Sequence, residues 1–330
     1  MRRTCAPLWL ALLTLAVTAR GAAADGLPVP VDGATITTVV RSDGAGPRYA
    51  TVPAGERTQL LRIDQHGGDV TGNRTIDGKF TIPLVALDGT SSGLSADGGT
   101  LALITPRTDF RFPRDNTRFQ IVDLGAGGGM RPGERFTLRG DFSFDALSPD
   151  GGTMYLVEYL SRDYNDYAVR EYDLARGHLR SRPVLVAHEA DPNEMRGLPI
   201  ARVTSPDGRY AYTLYNGGGR PRDEAFIHVL DTVRGISHCL DLPNVDGRDA
   251  WGAGLALSPD GGTLQVLSNH EVVTTLDARH FAVGERSGES VGEESGGAGA
   301  PSSVLAIGAA AIGIALLVAA AFGVARRRGA

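Results

Sequence analysis

The chain has 330 residues, 42% of them hydrophobic, and carries a net charge of −5. This length can bury one large core or two ordinary ones, and the small acidic surplus argues against nucleic acid as a partner. The 44 glycines and 18 prolines are typical of a turn-rich β protein and argue against a helical fold.

Residues 1–24 have the pattern of a secretory signal peptide. Arg2 and Arg3 precede an apolar run from Pro7 to Val17, and the alanines at 22–24 form a small-residue cleavage site. We therefore expect the chain to be exported and the mature protein to start at Asp25. The general secretory route is favoured over the twin-arginine route because the apolar run follows the arginines almost at once.

A short Ser-x-Asp-Gly sequence recurs through the middle of the chain at intervals of 53, 57 and 53 residues. The Ser and Asp side chains can satisfy nearby backbone N–H groups, and the glycine can adopt the left-handed conformation that reverses a strand. A degenerate copy lies one interval earlier, at residues 42–44. The residues predicted to hold the turns are Ser95, Asp97, Gly98, Ser148, Asp150, Gly151, Ser205, Asp207, Gly208, Ser258, Asp260 and Gly261.

Each repeat also contains an apolar run that ends in aspartate, for example at Asp123, Asp173 and Asp231. One strand enters the Ser-x-Asp-Gly turn, one leaves it, one ends in the aspartate and one returns, so each repeat predicts four strands. Five repeats predict an all-β fold, namely a β-propeller with five four-stranded blades. Six or seven blades remain open alternatives.

The repeat spelled SPDGGTLQVLS, followed by a strand that ends in aspartate, resembles the repeat of TolB-like and YVTN-type (surface-layer-like) β-propellers. The resemblance covers residues 34–285, nearly all of a predicted ectodomain at 25–285. It implies the fold and leaves the function open, because such propellers include scaffolds, binding proteins and a few enzymes.

In such propellers the Ser-x-Asp-Gly turns lie on one face, and the longer loops surround the channel on the other. These loops are rich in Arg with Asp or Glu, and they also carry aromatic residues. The sequence therefore predicts a polar binding surface in which guanidinium groups bind carboxylates and aromatic rings stack on a ligand. Its candidate residues are Arg107, Asp109, Arg114, Asp115, Arg162, Asp163, Asp166, Tyr167, Asp191, Glu194, Arg222, Asp223, Arg248, Asp249 and Trp251.

A second interpretation of the repeated Arg-Asp pairs is structural, as salt bridges between blades. Sequence motifs that would indicate catalysis are weak. The G-x-S-x-G match at 89–93 lies in a repeat strand and lacks the strand–turn–helix setting of a catalytic nucleophile. The histidines lack metal-ligand spacing, and residues 163–166 lack the glycine and distal glutamate of a calcium loop. We predict no catalytic residue, no metal ligand and no cofactor.

The end of the chain predicts a membrane anchor. Residues 286–303 form a Gly/Ser/Glu-rich flexible tether, and residues 304–325 are 22 uncharged residues, enough to cross a bilayer. The arginines in the tail at 326–330 place it in the cytoplasm. The bulk of the chain is therefore expected outside the membrane, held by a single helix.

These expectations favour a binding module of the cell envelope whose partner is a protein, a peptide or a carbohydrate. One alternative is a hydrolase or lactonase that uses a divalent cation and acidic side chains at the channel mouth, with Asp109, Asp191, Glu194 and Asp249 as candidates. The other alternative is a scaffold or spacer without catalysis.

Overall fold

A computed structural model describes residues 36–283 except 42, 67, 108–112, 126–127, 162–166, 187–196 and 218–223. The predicted signal peptide, tether, membrane helix and tail lie outside these described residues. Within them all named elements are strands, which confirms the all-β prediction. No helix of this described part is long and apolar enough to cross a membrane.

The strands form five successive sheets, numbered here in chain order. Sheet 1 contains β1 (Thr37–Val39), β2 (Arg48–Ala54), β3 (Arg57–Ile63) and β4 (Val70–Asp77). Sheet 2 contains β5 (Thr100–Ile104), β6 (Asn116–Asp123) and β7 (Arg131–Arg139). Sheet 3 contains β8 (Asp141–Leu147), β9 (Thr153–Tyr159), β10 (Tyr167–Asp173) and β11 (His178–Pro183).

Sheet 4 contains five strands. They are β13 (Pro199–Thr204), β14 (Tyr210–Tyr215), β15 (Glu224–Asp231), β16 (Ile236–Asp246) and the short β12 (Leu185–Val186), which pairs parallel with β16. Sheet 5 contains β17 (Gly254–Leu257), β18 (Thr263–Ser268), β19 (Glu271–Asp277) and β20 (Ala282–Val283). Apart from β12, neighbouring strands within each sheet are antiparallel and consecutive, as the repeat predicts.

Sheet 2 departs from the predicted four strands. Its innermost segment, residues 81–94, makes only isolated bridges, including Leu94 to Leu101 and Thr81 to Ile104. Gly93 has φ +106°, and a Cβ there would lie 2.6 Å from the carbonyl oxygen of Ala102. The chain therefore approaches β5 too closely and turns too sharply at this glycine for a regular strand.

Apolar clusters join each sheet to the next in the chain. Leu60 and Leu103 pack between sheets 1 and 2, and Phe144 and Phe119 pack between sheets 2 and 3. Tyr155 and Leu230 lie between sheets 3 and 4, and sheets 4 and 5 share the largest cluster. Sheets stacked face to face in chain order around the 81–94 segment form a β-propeller. The number of blades in the complete ring stays a prediction.

The four Ser-x-Asp-Gly turns have one geometry. In the turn at 148–151, the Ser148 hydroxyl donates to Asp150 Oδ1 (2.6 Å) and accepts from the Thr153 N–H (2.9 Å). Asp150 Oδ1 also accepts from the Gly152 N–H at 3.0 Å. The turns lie side by side, since the Asp97 N–H donates to the Pro149 carbonyl at 3.0 Å. They therefore mark one end of the molecule, called here the turn end.

Candidate functional site: a tyrosine-lined cavity at the loop end

A cavity lies between sheets 3 and 4 at the end opposite the turns, called here the loop end. Strands β9 and β14 each leave a Ser-x-Asp-Gly turn, so their last residues, Tyr159 and Tyr215, reach the far end. The cavity is lined by Val85, Phe144, Asp145, Val157, Tyr159, Tyr167, Gly197, Leu198, Pro199 and Tyr215.

Three of the four aromatic residues in the described lining are tyrosines. The Tyr167 ring centroid lies 6.0 Å from that of Tyr159 and 6.3 Å from that of Tyr215. Burial raises the pKa of Tyr159 to about 12, and it raises the pKa values of Tyr167 and Tyr215 well above their usual range. The phenols are therefore neutral at physiological pH, and the Tyr167 hydroxyl donates to the Gly197 carbonyl at 3.3 Å.

A β-bulge presents the one carboxylate among the described residues of the cavity lining. Strand β8 shifts register against β9 between Phe144 and Ala146, so Asp145 is the extra residue. A bulge re-aims one side chain while the strand continues. Asp145 is 5% exposed, and it lies beside Tyr159 and Tyr215 in the lining.

Arg202 of β13 forms a buried ion pair with this carboxylate. Its Nη1 donates to Asp145 Oδ1 at 2.6 Å and to Thr213 Oγ1 at 2.9 Å, and its Nη2 donates to the Asp145 carbonyl at 3.0 Å. The pair joins the inner strands of sheets 3 and 4. Because neither side chain is more than 7% exposed, water screens their attraction weakly.

A buried histidine lies close to this pair. His228 of β15 is the register partner of Thr213, and its ring meets the Tyr215 ring edge-on at 6.3 Å. Burial lowers the pKa of His228 to about 4. The imidazole is therefore neutral near pH 7 and adds no positive charge beside Arg202.

A second buried ion pair joins sheets 2 and 3 at the loop end. Asp141 accepts from Arg107 Nη1 (2.9 Å) and Nη2 (2.5 Å), and from the Arg114 backbone N–H and Nε (both 3.0 Å). Burial alone would raise the pKa of Asp141, but hydrogen bonds and charge from both arginines outweigh it and hold that pKa below 3.8. The Arg107 guanidinium also lies 5.6 Å from the Tyr159 ring centroid.

The predicted binding residues are thus placed in different settings. Tyr167 lines the cavity, whereas Arg107 and Arg114 bind Asp141 of the next sheet. Asp115 is exposed. Arg248, Asp249 and Trp251 lie on an exposed turn between β16 and β17. The candidates outside the described residues are Asp109, Arg162, Asp163, Asp166, Asp191, Glu194, Arg222 and Asp223.

Sequence reasoning did not single out Asp145, Arg202, Tyr159 or Tyr215. Two signals in the sequence pointed to three of them, Tyr159, Tyr215 and Asp145. Tyr159 and Tyr215 each end the second strand of a repeat, directly before an inserted loop. The run Phe144-Asp145-Ala146 places a charged side chain between apolar residues of β8 that are buried. A bulge at Asp145 lets the strand continue while the carboxylate points in a different direction from its neighbours.

Comparisons with known proteins add structural likenesses only. No protein-family model matches the chain, and no curated protein does. Among solved structures, TolB from Acinetobacter baumannii is 16% identical, with a TM-score of 0.38, and the match covers 71% of this chain and 52% of TolB. The chain thus spans about half the length of that protein.

Two further solved structures are also similar to this chain. The Cps50 (Swd1) β-propeller domain of Myceliophteria thermophila is 11% identical, with a TM-score of 0.43, over 74% of this chain and 67% of that chain. An oligogalacturonate lyase in complex with manganese is 13% identical, with a TM-score of 0.44, over 75% of this chain and 63% of that chain. The class defined by the sheets themselves is a β-propeller with a cavity at its loop end.

Proposed function

We propose that this protein is a membrane-anchored, extracytoplasmic binding module that holds a protein, peptide or carbohydrate partner at its loop end. The observation that carries this proposal is the composition of the cavity. Its ten described lining residues include four aromatic rings and one carboxylate, and none of them is Ser, Thr, Cys, His or Lys. Such a lining can orient a ligand through stacking and hydrogen bonds.

The chemistry of the lining favours binding over group transfer. The carboxylate already holds Arg202, and the phenols stay protonated because burial raises their pKa values. A nucleophile or general base needs a side chain that can give up or take a proton near neutral pH. The signal peptide and the membrane anchor are part of this proposal, and they would place the loop end outside the membrane.

Cross-linking on intact cells tests the proposal with the full chain. Trp251 is 51% exposed on a loop-end turn, and Val233 is 60% exposed on a turn-end loop, so Trp251→Ala and Val233→Ala form a matched pair. The triple variant Trp251→Ala, Arg162→Ala, Arg222→Ala is expected to lose the cross-linked partner, and Val233→Ala is expected to keep it.

Protease treatment of intact cells checks the placement, since an extracytoplasmic domain is digested from outside. Unchanged cross-links in the triple variant would refute binding at the loop end.

A further inference from the structure

The first strand of sheet 1 has one uncovered face. Thr37 and Val39 of β1 are buried, whereas Ile36 and Val40, which flank the strand, are 59% and 43% exposed, and Thr38 between them is exposed as well. The corresponding first strands of sheets 3 and 4 differ, because every residue of β8 is buried and no residue of β13 is exposed. Blades of a propeller bury both faces against their neighbours, so sheet 1 is covered on one face only.

The uncovered face continues across sheet 1 as an apolar surface. Tyr49 of β2 and Leu60 of β3 pack toward sheet 2. Side chains alternate along a strand, so Val52 and Leu61 point to the opposite face. Both are half-buried, and neither belongs to an apolar cluster of the described residues. The open face of sheet 1 is defined here as Ile36, Val40, Val52 and Leu61.

Sheet 5, the other neighbour of sheet 1 in a five-sheet ring, leaves this face open. Among the described residues, the apolar cluster of sheet 5 is shared with sheet 4, and no cluster joins sheet 5 to sheet 1. All four residues of β17 are half-buried. Apolar surface that stays in contact with water is unfavourable, so the open face is suited to a further apolar segment.

The chain itself contains such a segment directly before β1. Residues 25–35 read DGLPVPVDGAT, in which Leu27, Val29 and Val31 alternate with two prolines. Proline fixes its own φ and biases the residue before it to extended conformations. Residues two positions apart lie on the same side of an extended chain, so the three apolar side chains form one stripe.

Length and attachment also favour this segment over a separate molecule. Its last residue is bonded to Ile36, which lies on the open face. Extended residues span up to about 3.3 Å each and neighbouring strands lie about 4.8 Å apart, so the segment is long enough to cross all four strands of sheet 1. A short tether gives an effective concentration in the millimolar range, which a second copy or a free partner would have to exceed.

We propose that residues 25–35 fold back over the open face of sheet 1, with Leu27, Val29 and Val31 packed against Val52 and Leu61. This contact covers the apolar surface at the boundary with sheet 5, and it prevents two copies of the chain from associating through that surface. The inference does not depend on the proposed binding at the loop end.

Photo-cross-linking tests the contact in the full chain, purified in detergent micelles. A p-benzoylphenylalanine replaces Leu61 in one variant and Val233 in the matched control, since Val233 is 60% exposed on a turn-end loop. Proteolysis before Asp32 separates residues 25–31 from β1, and mass spectrometry then identifies the cross-linked fragment. We expect residues 25–31 to be joined to position 61 and not to position 233.

A second variant shows whether the apolar stripe makes the contact. The triple change Leu27→Ser, Val29→Ser, Val31→Ser should lower the yield of the cross-link from position 61 by roughly tenfold or more, because losing the burial of one valine already shifts an equilibrium by about that factor. Asp25→Asn with Thr35→Ser is the matched control and should keep the yield. Circular dichroism confirms that each variant is folded.

Mixing ¹⁵N-labelled and unlabelled chains separates a contact within one chain from a contact between two copies. Cross-links from position 61 to a second copy, to another segment of the same chain or to nothing at all would overturn the inference. An undiminished yield in the folded triple variant would do the same. If these results fail while cell-surface cross-links still depend on the loop end, the inference falls and the proposed function stands.

Discussion

At the scale of single residues, the glycines of the Ser-x-Asp-Gly turns share a conformation but not an environment. Gly151 and Gly261 have φ values of +68° and +67°. A Cβ on Gly151 would lie 2.3 Å from Thr100 Oγ1, whereas a Cβ on Gly261 would meet Pro206 Cδ at 3.7 Å. The same local turn is therefore packed tightly against sheet 2 at one site and loosely at the other.

This difference predicts unequal effects of alanine. Gly261→Ala should lower the free energy of unfolding by about 1 kcal/mol, the cost of placing a side chain in the left-handed region. Gly151→Ala adds overpacking against Thr100 and should cost a further 1 to 3 kcal/mol or so. Urea unfolding of both variants measures the two values, and equal losses would contradict a role for the contact with Thr100.

At the scale of elements, buried charge joins neighbouring sheets at the loop end. Arg107 and Arg114 both lie in the connection between β5 and β6, and both bind Asp141 at the start of β8. Arg202 of β13 and Asp145 of β8 form a second buried ion pair, which joins sheets 4 and 3. These contacts set how the inner strands of sheets 2, 3 and 4 sit beside one another, and so they shape the cavity.

Removing one charge from such a buried group of ions should lower the free energy of unfolding markedly. Asp141→Asn removes the buried carboxylate charge that both guanidinium groups contact and should lower the free energy of unfolding by about 3 to 5 kcal/mol. The same change in the exposed Asp77–Arg57 pair should cost less than about 1 kcal/mol. Thermal and urea unfolding compare the two variants, and a loss below that of Asp77→Asn would refute the structural role of Asp141.

At the scale of the whole molecule, the described sheets are buried to different extents. Every residue of β8 in sheet 3 is buried, whereas every residue of β17 in sheet 5 is half-buried. Sheets 3 and 4 contribute to an apolar cluster on each side, and within the described residues sheet 5 contributes to one. Stability is therefore expected to fall from the middle sheets toward sheet 5.

Native-state hydrogen exchange measures this gradient. Central strands offer a matched comparison, β9 in sheet 3 and β18 in sheet 5, because each pairs on both edges. Amides of β9 should exchange roughly tenfold or more slowly than those of β18, since opening β9 exposes two apolar interfaces. Equal protection of the two strands would show that the sheets unfold as one unit.

Much of the fold was predictable from sequence because its signals are local. The hydrogen bonds of the turns connect residues two to five positions apart, as from Ser148 to Asp150 and from Thr153 to Ser148. The strands that end at Asp123, Asp173 and Asp231 follow from the same repeat. Turn chemistry and alternating burial are properties of short segments, so one chain is enough to infer them.

The candidate site was harder to predict from the sequence because its contacts join residues that are distant along the chain. Arg202 and Asp145 are separated by 57 positions, and Arg107 and Asp141 by 34. A bulge, which shifts the alternation by one residue, turns Asp145 toward the cavity. The sequence by itself determined the repeat, the turns and the end of the molecule where the loops lie. Only the packing of sheet against sheet decided which arginines pair with the buried carboxylates Asp141 and Asp145, because those partners lie on different repeats.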